Sequence, residues 1–257
     1  KNNSLIITEN KKNHLNTFAK KFKIKVIFHK SYIGGRYSIF SETALVPSYL
    51  MGINIFRLRK NILNFLNKKK SQLIKNLINI SKVYASKKIN SLVLLNYCED
   101  LDIFLLWCQQ LIAESLGKRG KGIIPLISKA PRDHHSLLQL YLDGPRDKFF
   151  YIFSLKKKNN MKKNKDLFVD RLNNKNINEV LENQKNAMTF LFKKKKIPFL
   201  SIEIQKKNEE TLGELFSYFI IETVLISETL AVNPYNQPAV EQLKILLKQS
   251  LFKKNQK

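Results

Sequence analysis

Short runs rich in β-branched and aromatic residues alternate along the chain with longer stretches in which apolar positions recur every three to four residues. That alternation predicts βαβ units and a mainly parallel sheet. Strands are expected at Leu5–Thr8 and Ile24–Phe28, with a helix over Lys11–Lys21 between them. A turn, Ile33-Gly-Gly-Arg-Tyr-Ser38, then leads into helical segments as far as about Asn67. A helix over Ser71–Ser86 precedes Ser91–Tyr97 (SLVLLNY), a continuous apolar run of the kind a strand buried on both faces requires. Beyond it the pattern predicts helix 101–116, a glycine-rich loop 117–124, strand 125–128, helix 134–142 and strand 149–154. It closes with helix 177–193, strand 198–204, a long helix 212–231 and a last helix 238–251. Residues 1–55 therefore read as the tail of one α/β layer, 56–235 as a complete second α/β unit, and 236–257 as a C-terminal helix.

Local signals sharpen the boundaries. Thr211-x-x-Glu214 fits a capping box at the start of the long helix. The segment Asn-Pro-Tyr-Asn-Gln-Pro (233–238) forces a break and places Pro238 in the first turn of the final helix, where its missing N–H costs nothing. The charged, low-complexity runs 156–165 and 193–196 are expected to be solvated loop or helix end.

Composition narrows the class. The chain has 257 residues, 46 Lys+Arg against 20 Asp+Glu, and a formal net charge of +26. A 44% apolar content with 17 Phe and 9 Tyr excludes a disordered polycation, because it supplies the burial needed to offset ordering entropy. The basic residues are 39 Lys and only 7 Arg, accompanied by 26 Asn, a bias toward A-rich codons that attributes much of the charge to genomic drift. The charge alone also motivates a basic, ribosome-associated nucleic-acid-binding protein as an alternative. Against it, no basic motif interleaved with aromatics is present. Cys98 and Cys108 lie on expected core elements, and a reducing, cytoplasmic setting follows. The most apolar long stretch, Leu215–Val232, is interrupted by Glu222 and Glu228, and the opening residues are polar and basic, so neither membrane nor export is indicated. Residue 1 is Lys, and the expectation is that the chain begins inside a longer gene product.

Some residues break the local pattern in ways that suggest chemistry. In helix 101–116 the apolar stripe runs through Phe104, Trp107, Cys108 and Leu111, and Glu114 continues it, with Gln110 one turn before on the same side. The loop Gly117-Lys-Arg-Gly-Lys-Gly122 follows, its glycines allowing a close backbone approach to a ligand. His134 and His135 follow Asp133, a good N-cap, which puts an imidazole at the positive end of a short helix and keeps it available for proton transfer near neutral pH. No Cys or carboxylate stands at ligand spacing from them, so no metal site is indicated. Lys244 sits within the stripe Val240, Leu243, Leu247, Leu251 and either snorkels outward or points at a partner. Gln237 precedes that helix, close to amides that welcome an anion. Gly34-Gly35-Arg36 follows a strand, and an Arg retained among so many Lys suggests a need for a fixed fork of donors toward an oxyanion or phosphate.

Together these segments resemble the glucose-6-phosphate isomerase family, in order along the whole chain. The matching segments are Gly34-Gly-Arg-Tyr-Ser38 with IFSETALVP, Gln109-Gln-Leu-Ile-Ala-Glu-Ser-Leu-Gly-Lys118, Asp133-His-His-Ser-Leu-Leu-Gln139, Thr211-Leu-Gly-Glu-Leu-Phe216 and Asn233-Pro-Tyr-Asn-Gln-Pro-Ala-Val-Glu-Gln-Leu-Lys244. The resemblance implies a three-layer α/β/α sugar-isomerase fold, with residues 1–55 the C-terminal part of its first subdomain and 56–235 its second. It implies interconversion of glucose 6-phosphate and fructose 6-phosphate through an enediolate, without cofactor or metal. By position, Glu114 falls on the carboxylate that moves a proton between C1 and C2, Arg36 on the cation beside the enediolate, His135 on the ring-opening residue and Lys244 on its companion. Gly35, Gln110 and Gln237 fall on substrate-contacting positions. A homodimer is implied, His135 serving the neighbouring subunit's site, with no specific nucleic acid and no membrane as partners. The chain departs from the family pattern at Asn236, usually Asp, and Ala239, usually Gly, and the family's Ser/Thr-rich phosphate loop has no counterpart before Gly34. The expectation is therefore a fragment that does not isomerise sugar phosphates unaided.

Overall fold

The structure, a computed structural model, describes residues 3–67, 70–156 and 177–253. It opens with β1 (Leu5–Glu9), α1 (His14–Phe22) and β2 (Lys25–His29), the two strands pairing in parallel with Leu5 opposite Lys25. Helix α1 starts later than Lys11 because Asn13 caps it, its side-chain oxygen accepting from the Asn16 N–H. A 3-10 helix (Gly35–Phe40), α2 (Glu42–Leu50), α3 (Ile55–Arg59), α4 (Asn64–Asn67) and α5 (Lys70–Ala85) occupy the stretch expected to be helical.

The second sheet is built from β3 (Ser91–Asn96), α6 (Asp102–Leu116), β4 (Ile124–Lys129), α7 (Arg132–Ser136), α8 (Leu138–Asp143), β5 (Lys148–Leu155), α9 (Ile177–Lys194) and β6 (Phe199–Ile204). Its four strands are all parallel in the order β4-β3-β5-β6. Two helices follow, α10 (Glu209–Thr229) and α11 (Pro238–Lys253). The apolar run of β3 is central, and strand alternation divides its side chains between two cores. Leu92 and Leu94, with Tyr151 and Phe153 of β5, pack under α5, α6 and α10. Val93 and Leu95, with Phe150 and Ile152, pack under α8 and α9. Helices thus cover both faces of a parallel sheet, the three-layer α/β/α arrangement expected from the sequence. Cys98 and Cys108 are buried and form no disulfide. Among the described residues no helix is long and apolar enough to cross a membrane.

Three local expectations are corrected. The long helix starts at Glu209, not Leu212, because Asn208 is its N-cap and accepts from the Thr211 N–H; the Thr211/Glu214 pair lies inside the helix. Asp133 is not a cap either. It is buried in the first turn of α7, where Ser128 Oγ, the Lys129 N–H and Arg132 Nε donate to it and hold its carboxyl below the usual range, the Arg132 bond being the main cause. The stretch 134–142 is two helices, broken at Leu137. The lysine-rich run 156–165 lies, beyond Lys156, outside the described residues.

Gly213 shows why a glycine interrupts a long helix. A Cβ there would stand 1.8 Å from the Leu58 carbonyl oxygen, so its absence lets α3 lie directly on α10. That contact carries the chain from the small sheet across to the large one.

Candidate active site

Arg36 is the centre of the site. It enters from the 3-10 helix, whose position is pinned by Trp107 Nε1 donating to the Arg36 carbonyl at 3.0 Å. The side chain is 3% exposed. Its guanidinium finds an acceptor for each of its five N–H groups. Nε donates to Ser115 Oγ at 2.9 Å, and Nη1 to Glu114 Oε2 at 3.1 Å and Gln237 Oε1 at 2.8 Å. Nη2 donates to the Pro234 and Asn236 carbonyls at 2.5 and 3.1 Å. A buried cation costs several kcal/mol unless paired and fully hydrogen-bonded, and here both conditions are met. Arginine, not lysine, can satisfy so many divergent acceptors at once.

Glu114 stands at the last turn of α6, half-buried, its side chain 29% exposed. Gln110 Nε2 donates to its Oε1 at 3.1 Å while Arg36 holds Oε2, so both oxygens are oriented. The amide and carboxylate expected to converge do so, one turn apart on α6. The stripe itself is shifted from the expectation: Phe104, Leu105, Cys108, Leu111, Ile112, Ser115 and Leu116 are buried, and Glu114 lies on its margin, facing a pocket. This cavity, about 440 Å³, is walled by Glu114, Gly117 and Lys118 on one side and Asn233, Asn236 and Gln237 on the other, with the first turn of α11 at its rim. Its size suits a small ligand. A larger cleft of about 720 Å³ runs along β6 between α5 and α10, and none of the candidate residues lines it.

Sequence reasoning passed over several participants. Ser115, fully buried, takes the Arg36 Nε bond and lies 2.9 Å from the Tyr37 hydroxyl. Burial raises the Tyr37 phenol, opposed by Ser115 and Arg36. Lys118 donates to the Ser115 and Asn233 carbonyls at 2.7 and 2.6 Å. Ser115 and Lys118 both fall in the segment Gln109–Lys118 singled out above, and that was the available signal for each.

Two candidates stand apart. His135 is exposed on α7, just past the C-terminal end of β4, whereas Glu114 lies near that strand's beginning, where Gln109 Nε2 donates to the Pro125 carbonyl. At about 3.3 Å per residue the strand alone separates them by roughly 16 Å. Its neighbour His134 is bonded to the Tyr97 hydroxyl at 2.8 Å, and burial, with His135 second, lowers its pKa. Lys244 lies one turn beyond Val240, which lines the pocket, and its Nζ is 2.7 Å from Glu241 Oε1. The stripe Val240, Leu243, Leu247, Leu251 is exposed throughout, not buried, because α11 presents every face to solvent. Gly35 is exposed, with open space around its α-carbon.

No family model matches the chain. It is 31% identical over 222 residues to the glucose-6-phosphate isomerase of Methanocaldococcus jannaschii, which covers 82% of this chain and 54% of that protein. To the glucose-6-phosphate isomerase of Campylobacter jejuni it is 32% identical over 243 residues, 89% of this chain and 58% of the other. A hypothetical protein of Thermus thermophilus superposes with a TM-score of 0.84 at 22% identity, over 96% of this chain and 62% of that one. A glucose-6-phosphate isomerase of Chlamydia trachomatis gives 0.78 at 16%, over 98% and 53%. The structural likenesses show the shared fold. The chain spans about half the length of the curated relatives it matches.

Proposed function

Because the chain belongs to the glucose-6-phosphate isomerase family, we propose that the pocket lined by Glu114, with Arg36 buried behind it, is part of a site interconverting glucose 6-phosphate and fructose 6-phosphate. The observation that carries the reading is a carboxylate with both oxygens oriented, joined at 3.1 Å to a buried guanidinium, at the edge of a cavity. The Glu114 carboxylate takes the proton from C2 of the open-chain aldose; the C2–H bonding electrons form the C1=C2 double bond of an enediolate, and the C1 carbonyl π pair moves onto O1. Glu114, whose proton exchanges with solvent, then protonates C1 as the C2–O bond becomes the ketone carbonyl, the O2 hydroxyl proton passing to O1. Negative charge on the sugar oxygens is met by Arg36, whose five donors are already taken, so a substrate oxygen must replace an existing acceptor. Gln237 Oε1, on the pocket wall, is the acceptor best placed to yield. Gln110 and Gln237 then contact sugar hydroxyls, and Gly35, exposed one residue before Arg36, offers open backbone to the substrate.

The exposed His135, at the far end of β4 from Glu114, suits ring opening in the site of a second copy, and Lys244 on the uncovered α11 suits a companion role there or in its own site. Residues 1–55 then belong to a first subdomain, 56–235 to a second, and 236–257 to the lysine-bearing helix. No Ser/Thr-rich phosphate loop stands before Gly34, so residues 1–257 alone are proposed to be inactive. The buried, unbridged thiols fit a cytoplasmic enzyme. Nothing in the geometry favours nucleic acid: the best-fixed cations, Arg36, Lys118 and Lys121, are turned onto carbonyls and a carboxylate inside the protein. Turnover by the complete gene product, lowered at least about 100-fold by Glu114→Gln and by Arg36→Met, supports the reading; turnover within tenfold of wild type in both variants overturns it.

A further inference from the structure

The glycine-rich loop after α6 faces the pocket, but its function lies in what its first lysine holds. The loop doubles back on itself: Gly122 has φ 101°, and a Cβ there would meet the Leu116 carbonyl oxygen at 2.9 Å. This fixes Lys118 at the mouth of the pocket. Its Nζ donates to the Ser115 carbonyl at 2.7 Å and to the Asn233 carbonyl at 2.6 Å. The first bond is what any lysine at a helix C-terminus makes. The second crosses to a segment 115 positions away. Both anchor points adjoin acceptors of Arg36. Ser115 Oγ receives Arg36 Nε, and Pro234, next to Asn233, offers its carbonyl to Arg36 Nη2 and to the Tyr37 hydroxyl.

We propose that Lys118 is a positioning residue, its ammonium stapling the end of α6 to the loop 233–237 and so fixing the acceptors that hold Arg36 against Glu114 behind the pocket wall. The inference rests on the isomerase reading of the pocket. A lysine ammonium has three donors, enough for both carbonyls, and each charge-assisted bond is stronger than a neutral one. The staple is also titratable. Burial, with the Arg36 charge second, lowers the Lys118 pKa to about 8, and Glu114 opposes the shift. Beside it stand Lys121, bridged to it across the loop with its own ammonium on the Leu230 carbonyl, Arg119, which follows it on the pocket wall, and Tyr37, whose phenol is raised and which shares the Ser115 and Pro234 acceptors. With a lowered pKa the ammonium is present below about pH 8 and lost above it.

The test uses the complete gene product, with kcat and KM for fructose 6-phosphate measured from pH 6 to 10 in wild type, Lys118→Met, Lys118→Arg and Glu114→Gln. The staple predicts an alkaline fall in wild-type kcat near pH 8. It predicts that Lys118→Met loses about tenfold or more in kcat at pH 7, with KM changed less than about threefold, and shows no such fall. Lys118→Arg, which stays charged, regains most of the rate at pH 7 and moves the fall upward by a unit or more. Lys118→Met within twofold of wild type at pH 7, or an unchanged alkaline fall in Lys118→Arg, overturns the inference. Should Lys118→Met fail to fold, the Lys118→Arg profile alone decides. Undiminished turnover in Glu114→Gln would instead overturn the isomerase reading of the pocket.

Discussion

Glu222 offers a sharp test of how the core is held. It sits on α10 at 2% exposure, surrounded by the apolar cluster under α5 and α6. The Tyr151 hydroxyl donates to its Oε1 at 2.9 Å, and the neighbouring Tyr218 hydroxyl also favours its ionised form. No cation is among the causes of its shift; burial raises its pKa from 4.5 to about 7, against the lowering effect of the two tyrosines. The carboxyl is therefore neutral in the folded protein over a range in which it is ionised in the unfolded chain. A raised folded pKa means the contribution is fully present below about pH 4.5 and is lost as pH rises through about 7. A rise from 4.5 to about 7, at about 1.4 kcal/mol per unit, makes that loss about 3 kcal/mol. Glu222→Gln keeps an acceptor for Tyr151 and cannot ionise. Urea unfolding of both proteins at several pH values from 4 to 8.5 isolates the effect, because carboxylates far from position 222 cancel in the difference. The variant should gain about 3 kcal/mol on wild type between pH 4 and 8.5, all of it between about pH 4.5 and 7.5. A difference constant to within about 1 kcal/mol would refute the argument that Glu222 is folded neutral.

Two further outcomes follow from the geometry. Gly213→Ala drives a methyl group into the Leu58 carbonyl and should destabilise by about 2 kcal/mol despite alanine's better helix propensity, read as a lower urea midpoint; an unchanged midpoint would mean that α3 moves off α10 without cost. If His135 serves the neighbouring site, mixing inactive Glu114→Gln and His135→Ala copies under exchange should restore about a quarter of wild-type activity, since half the dimers then hold one intact site, whereas no recovery would place the histidine in its own chain's site.

Most of the layering was legible in the residues, and the exceptions have physical causes. SLVLLN could only be a central strand, and the alternation of β3 and β5 side chains between two cores followed from it. The helix starts were harder. At Asn208-Glu-Glu-Thr211 the apolar period begins only at Leu212, so the polar first turn was invisible to a hydrophobic pattern. Asp133 looks like a cap in one dimension, but the Lys129 N–H and Ser128 turn it back toward β4. On α11 the pattern correctly marked an amphipathic helix; among the described residues nothing covers that stripe, and a period alone does not tell a covered face from an open one. In the site, Arg36 stood out because arginine is rare in this chain. Glu114 stood out because it continues an apolar stripe, although it lies at the margin of that stripe and not within it. Lys118 lay within the matched segment Gln109–Lys118, but among 39 lysines composition gave no reason to single it out there.

The most direct test of the central claim is proton transfer at C2. With fructose 6-phosphate in deuterated water, the complete gene product should form glucose 6-phosphate carrying deuterium at C2, because the Glu114 carboxyl exchanges its proton with solvent while the enediolate waits. Glu114→Gln should lower both turnover and labelling at least about 100-fold. Deuterium incorporation by Glu114→Gln at a rate within tenfold of wild type would contradict the account.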